Sequence, residues 1–257
     1  YRLEASPDLL LPAEFPGWEM RVHHFTSVDS TMRAARTLAR EGAAEGTIVC
    51  AETQTGGRGR IQRSWFSPPG GIYMTLITRP RVAPSRAPRI NLAAAVAVSE
   101  CLSRLYGIVA GVKWPNDVLI DGKKVCGILA EMEAECDVVH YVNIGVGLNA
   151  NSRVPDVRPP AVSLLELLGA PVDRARLARE VVEGILSRLP HLLEHVVLDE
   201  WRQRTVTLGR EVSIVAGDGT VRGVAVDIDD SGALLVRQAD GSVRQVLAGD
   251  CIHGAAA

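Results

Sequence analysis

Asp121-Gly122 lies between two β-type runs, Val118-Leu119-Ile120 and Lys124 to Glu131. A two-residue Asp-Gly loop is a strong local signal for an antiparallel hairpin, because its favoured turn needs positive φ at both positions. A chain with such a hairpin is neither all-helical nor a strict βαβ alternation. Other segments demand helices. Asn91 to Tyr106 carries Ala, Val and Leu nearly all round, the pattern of a buried helix. Residues 173–203 are helical by period, with Pro190 set to break or kink them. Ser30 follows Asp29 and precedes an Ala-rich stretch, which reads as a helix start, with Gly42 as its stop. Thr47 to Ala51, Ile72 to Ile77 and Val138 to Leu148 read as strands. The expectation is an α+β fold: a mixed or mostly antiparallel sheet with flanking helices.

The last fifty residues differ. Short β runs over 211–215, 221–226, 233–236 and 243–247 alternate with turns at 217–219, 229–232 and 239–242. That spacing of about ten residues predicts a small all-β barrel. The expected division is 1–204 and 205–257. Residues 1–20 show no clear period and read as a loosely packed leader.

Bulk composition excludes several classes. Among 257 residues, 28 are basic and 30 acidic, so no global positive field favours nucleic acid. From Thr205 onward four basic residues face seven acidic ones, so this part is not expected to bind nucleic acid either. No apolar run is long enough for a membrane span, and the start lacks a signal-peptide pattern. The five cysteines are odd in number and never form a C-x-x-C pair, which predicts neither a disulfide framework nor a zinc site. A reducing cytoplasm fits them best. The six histidines show no metal-like spacing.

Two segments carry chemistry. Gly56-Gly57-Arg58-Gly59-Arg60 is a flexible loop whose amides can approach a ligand and whose guanidiniums suit phosphate or carboxylate. It is not a Walker loop, since no Gly-Lys-Ser/Thr closes it. Lys113-Trp114-Pro115-Asn116-Asp117 sets a lone lysine beside a tight polar turn. A surface turn with solvated arginines and a decorated β-turn are the plain alternatives for the two.

In order and spacing, four stretches resemble biotin protein ligases. Ala51 to Arg60 followed by Trp65-Phe66-Ser67 resembles their glycine-rich signature. Lys113 to Val118 followed by Gly122 to Glu131 resembles the second. Asn143-Ile144-Gly145-Val146-Gly147-Leu148-Asn149 resembles the third. Ser27-Val28-Asp29-Ser30-Thr31 resembles the early Ser-Thr element, with Met32 where Asn is usual. The resemblance covers about residues 22–254 and implies a class II synthetase-like catalytic domain with a small SH3-like β-barrel after it. It implies that ATP and biotin form biotinyl-5′-AMP with Mg²⁺, and that the biotinyl group then passes to a lysine of a biotin carboxyl carrier domain.

The resemblance also implies roles. Ser30, Thr31, Gln54, Arg58, Gly59 and Arg60 are expected against biotin. Lys113 is expected as the catalytic cation touching the biotin carboxylate, aided by Arg58 and Asp117, with Asp117 also the candidate metal ligand. Arg63, Trp65, Lys124, Asn143 and Asn149 are expected at the nucleotide. Residues 55–66 are expected to be mobile until ligand orders them, with Ile61-Gln62-Arg63 departing from the usual continuation. Homodimerisation through a sheet edge is an option in the family. With about twenty residues before the match, no DNA-binding module is expected, and no membrane association. A lipoate ligase or octanoyltransferase, and a non-catalytic biotin sensor, are the competing readings.

Overall fold

The computed structural model describes residues 8–61, 63–155, 159–217 and 219–254. Gln62 and Asp218, which the sequence reading placed in a loop and a turn, lie outside the described residues, as do residues 1–7 of the leader. The elements run β1 (Val22–Val28), α1 (Thr31–Arg40), β2 (Ile48–Gln54), β3 (Ile72–Thr78), α2 (Pro88–Tyr106), β4 (Gly111–Lys113) and β5 (Asp117–Ile120). They continue with β6 (Lys123–Glu135), β7 (Val138–Leu148), α3 (Leu164–Leu168), α4 (Arg174–Arg188) and α5 (His195–Arg204). The chain closes with β8 (Glu211–Ala216), β9 (Gly219–Ile228), β10 (Leu234–Arg237), β11 (Val243–Val246) and β12 (Asp250–His253).

The first sheet has seven strands in the order β1-β2-β3-β7-β6-β5-β4. Only β1 and β2 run parallel, joined over α1; the other ladders are antiparallel. Asp121 (φ 49°) and Gly122 (φ 75°) both take the left-handed region, as the Asp-Gly hairpin requires. Its strands are β5 and β6. The fold is therefore α+β around a mixed sheet.

The two faces of this sheet are treated differently. Helices α2, α4 and α5 form one layer, with α2 lying against β4 to β7 and α4 against β3. Ile72, Met74, Leu76, Val142, Ile144, Val146 and Leu148 join these helices in one apolar core. The opposite face is roofed only in part, by α1, whose Ala35 and Ala39 cover Val49, Ile77 and Tyr141. Beyond α1 that face stays open.

The leader is not loose over its described part. Leu10 and Phe15 are buried in the main core. Each contributes about 1.5–3 kcal/mol by burial. The Leu10 amide donates to Glu52 Oε1 at 2.9 Å. The buried Arg174 guanidinium bridges Asp8 Oδ2 at 2.8 Å, Gly71 O at 2.7 Å and Glu52 Oε2 at 2.8 Å. Burial alone would raise the Glu52 pKa, but the bonds from Leu10 and Arg174 outweigh it and hold it below the usual value.

The C-terminal strands form an antiparallel sheet in the order β11-β10-β9-β8-β12. The expected barrel is not closed by hydrogen bonds, since β11 and β12 end the order and share no ladder among the described residues. This sheet packs on the edge of the first. Trp114, almost fully buried, donates from its amide to Thr207 Oγ1 at 3.0 Å and from Nε1 to Gly232 O at 3.1 Å.

Candidate active site

A cavity of about 530 Å³ lies over the open face, between α1, strands β5 to β7 and the glycine-rich loop. That is room for a small acyl group together with part of a nucleotide.

The floor follows from the two-residue period of β7. Val142, Ile144, Val146 and Leu148 go to the helices, so Asn143, Gly145, Gly147 and Asn149 take the other face. Gly147 pairs with Gly127 on β6. A Cβ at Gly147 would lie 2.6 Å from Trp65 Cε2, and one at Gly127 would lie 2.9 Å from Trp65 Cζ3. The paired glycines are thus a seat for the Trp65 indole. One residue pair along, a Cβ on Gly145 would lie 2.8 Å from Met32 Sδ.

One end of the cavity is polar. Ser30 is the N-cap residue of α1 by backbone conformation, yet its hydroxyl makes no cap. Ser30 Oγ is buried with no protein partner. Thr31 donates from its amide and hydroxyl to Gln54 Oε1 at 2.9 and 3.2 Å, and accepts from Thr75 Oγ1 at 2.9 Å. Gln54 Nε2 donates to Ser67 Oγ at 2.9 Å, which fixes the amide's direction. Ser30, Thr31 and Gln54 all line the cavity.

The glycine-rich loop folds back on itself as a short hairpin. Gly59 N donates to Arg63 O at 2.6 Å, Trp65 N donates to Gly57 O at 2.9 Å, and Arg58 bridges Ser64. At its tip Ile61 holds φ 52°, a costly conformation for a β-branched residue. The three loop arginines reach three different anchors. Arg58 lies 3.8 Å from Glu131 on β6, Arg60 donates to Asn116 Oδ1 at 3.2 Å, and Arg63 pairs with Asp250 on β12. Burial pulls the Arg60 pKa below its usual value, against the charges of Asp117 and Asp250.

The lysine of the cavity is Lys124. Its Nζ lies 2.6 Å from Asp117 Oδ1 and 5.3 Å from the centre of the Trp65 ring. Cation–π attraction and the ion pair together aim the ammonium along the cavity. Lys113 is placed elsewhere, a correction to the sequence reading. It ends β4, the outermost strand, where the C-terminal sheet covers the surface, and it does not line the cavity. Its charge instead acts on Cys251 and His253 of β12. Burial, then the Lys113 and Arg210 charges, lower the His253 pKa to about 4.

Gly59, Arg58, Arg60, Arg63, Trp65, Asp117 and Asn149 line the cavity with Lys124. Asn149 also spends its amide on Val162 O at 3.3 Å, holding the chain beyond β7. Asn143 does not line it: the residue is buried beneath α1, and neither side-chain amide atom has a protein partner. Two further lining residues, Asn116 and Asp250, were given no role from sequence. Asn116 lies within the Lys113–Asp117 motif, whereas Asp250 has no local signal around it.

Among the described residues no group of three or more His, Cys, Asp or Glu could hold an ion. Asp117 already faces Lys124. No helix among the described residues is long and apolar enough to cross a membrane.

Residues 24–149 match the Biotin/lipoate A/B protein ligase family, and residues 207–254 match the Biotin protein ligase C terminal domain. The chain is 36% identical over 266 residues to the bifunctional ligase/repressor BirA of Bacillus subtilis, covering 97% of this chain and 81% of that protein. It is 35% identical over 242 residues to the biotin–[acetyl-CoA-carboxylase] ligase of Mycobacterium tuberculosis, covering 89% and 85%. The biotin protein ligase of Aquifex aeolicus, solved with biotin and ATP, superposes with a TM-score of 0.77 at 28% identity, covering 91% of this chain and 98% of that one. Similarity that runs through both sheets and nearly the whole sequence settles the family: this chain belongs to the biotin protein ligases.

Proposed function

We propose that the cavity binds biotin at its Ser30–Gln54 end and ATP towards Lys124 and the loop arginines. The chain then joins biotin to AMP and passes the biotinyl group to a lysine of a biotin carboxyl carrier domain. In the first step a biotin carboxylate oxygen attacks the α-phosphorus and pyrophosphate leaves. In the second the carrier lysine amine attacks the acyl carbon and AMP leaves. Both steps gather negative charge near the α-phosphate, and a fixed cation there lowers the barrier.

The observation that carries the reading is Lys124, buttressed by Asp117 and stacked over Trp65 at the meeting of floor and loop. Ser30 Oγ, left without a protein partner, suits the ureido group of biotin, which offers both acceptor and donors. ATP arrives as its magnesium complex. Mg²⁺ is held mostly by triphosphate oxygens and one or two carboxylates, so it needs no protein cage. Asp117 is the residue suited to hold it when Lys124 turns to phosphate. The five cysteines stay unpaired, four of them buried, which suits a reducing cytoplasm.

The test is incubation with biotin, MgATP and a carrier domain, with lipoate as control and carrier mass as readout. Lys124→Ala is expected to lower biotinyl-AMP formation by about 10²–10³-fold. Lys113→Ala is expected to stay within a few-fold of wild type. Equal losses at both lysines would return the catalytic role to the β4 strand.

A further inference from the structure

Asp250 is the only residue of the C-terminal sheet, among those described, that lines the cavity. Its carboxylate takes both arms of one guanidinium: Arg63 Nη1 donates to Oδ1 at 3.1 Å and Arg63 Nη2 to Oδ2. A fork engaged in this two-pronged way is the fork a phosphate's two oxygens would engage. Arg63 closes the hairpin next to its tip, through the bond from Gly59 to its carbonyl. The pair therefore does two things at once. It fastens the loop to β12, and it occupies a cation of the nucleotide site.

We propose that Asp250 is a built-in stand-in for phosphate. It holds Arg63, and with it the loop, until the triphosphate of ATP takes the guanidinium over. Nucleotide binding then trades a contact between the two sheets for a contact with ligand. This rests on reading the cavity as the ATP site. Asp250 touches no reacting atom in this scheme; it is a positioning residue acting through Arg63.

The neighbourhood supports an exchange rather than a fixed clamp. The Arg63 side chain is 60% exposed and Asp250 30%, so the pair is water-accessible and weak enough to open. Arg60, Asp117 and Lys124 line the same cavity, so an incoming triphosphate meets an unbalanced positive charge there. The backbone of Asp250 pairs with Val215 in the β8–β12 ladder, so changing its side chain leaves β12 paired.

The experiment uses the full chain. Initial rates of pyrophosphate release give KM for MgATP and kcat, and hydrogen exchange of residues 57–65 reports on the loop. Asp250→Asn removes the competing charge. It is expected to lower KM for MgATP by about three- to fivefold, the factor a pair of this exposure is worth, with kcat unchanged. Loop exchange without nucleotide is expected to quicken and to return to the wild-type rate with MgATP. Asp250→Glu is expected to restore wild-type behaviour. Arg63→Ala should raise KM for MgATP, and in that background Asp250→Asn should lose most of its effect. An unchanged or raised KM in Asp250→Asn, or an effect undiminished without Arg63, overturns the proposal. A wild-type chain that makes no biotinyl-AMP would instead sink the reading of the site, a distinguishable result.

Discussion

Replacing Gly147 by alanine sets a methyl carbon 2.6 Å from Trp65 Cε2 and 2.7 Å from its Nε1. Ordinary contact begins near 3.4 Å, so the indole must retreat by about 0.8 Å. The central strand β7 and its partner Gly127 cannot give way without breaking ladder bonds, whereas the ring borders a cavity. Overpacking of this kind costs about 1–3 kcal/mol. Alanine returns about 0.5–1 kcal/mol, because glycine is the worse strand residue. Net stability therefore changes little, by a melting shift of only a few degrees. The cost falls on the ligand, whose space the ring invades and whose lysine the ring no longer supports at 5.3 Å. KM for MgATP is expected to rise at least about tenfold, the factor for 1.4 kcal/mol, with KM for biotin less affected. Steady-state pyrophosphate release over MgATP and biotin titrations measures both. Trp65→Phe trims the indole to one ring and should recover much of the loss when combined with Gly147→Ala. Wild-type KM for MgATP in Gly147→Ala, or no recovery in the double variant, would refute the seat.

Asn143→Val exchanges a buried amide without protein partners for a β-branched side chain in a strand; thermal melts should show stabilisation by about 1–2 kcal/mol, and destabilisation would mean the amide is satisfied. His253 is held neutral with its pKa lowered to about 4. The unfolded chain takes up that proton first, so the His253 contribution is whole above pH 6.5 and is lost as pH falls towards 4. Denaturant midpoints of His253→Gln should therefore fall less over that range than those of wild type; parallel curves would discount the site. Ser163 forms a capping box with Glu166 at the start of α3. Ser163→Ala should cost about 1 kcal/mol, read as a lower denaturant midpoint; an unchanged midpoint would show the cap to be idle.

What could be read from sequence was local chemistry. The Asp121-Gly122 turn, the apolar surround of α2 and the Pro190 break each act within a few residues, and each takes its expected form. Positions set by distant partners were harder. Leu10 and Phe15 have no periodic context, and only the packed helices make them core. Lys113 and Lys124 both sit in β runs beside polar turns. Which one meets the cavity depends on β4 being the sheet edge, a fact of strand order that no short window contains. The two-residue period assigns Asn143 to the cavity's face, but not the α1 roof above it. Asp250 reaches the loop across 187 residues of chain.

The Arg174 bridge has a kinetic meaning. Peeling the N-terminal segment away would take Asp8 from Arg174 and the Leu10 amide from Glu52, leaving the Arg174–Glu52 ion pair to hold itself in the core. Such a partial opening costs those bonds together with the burial of Leu10 and Phe15. The amide of Leu10, bonded to Glu52, should exchange with deuterium far more slowly than the amide of a free chain end. A segment that looks in sequence like a dispensable lead-in is thus fastened to the core, and its opening would expose the Arg174–Glu52 pair to water.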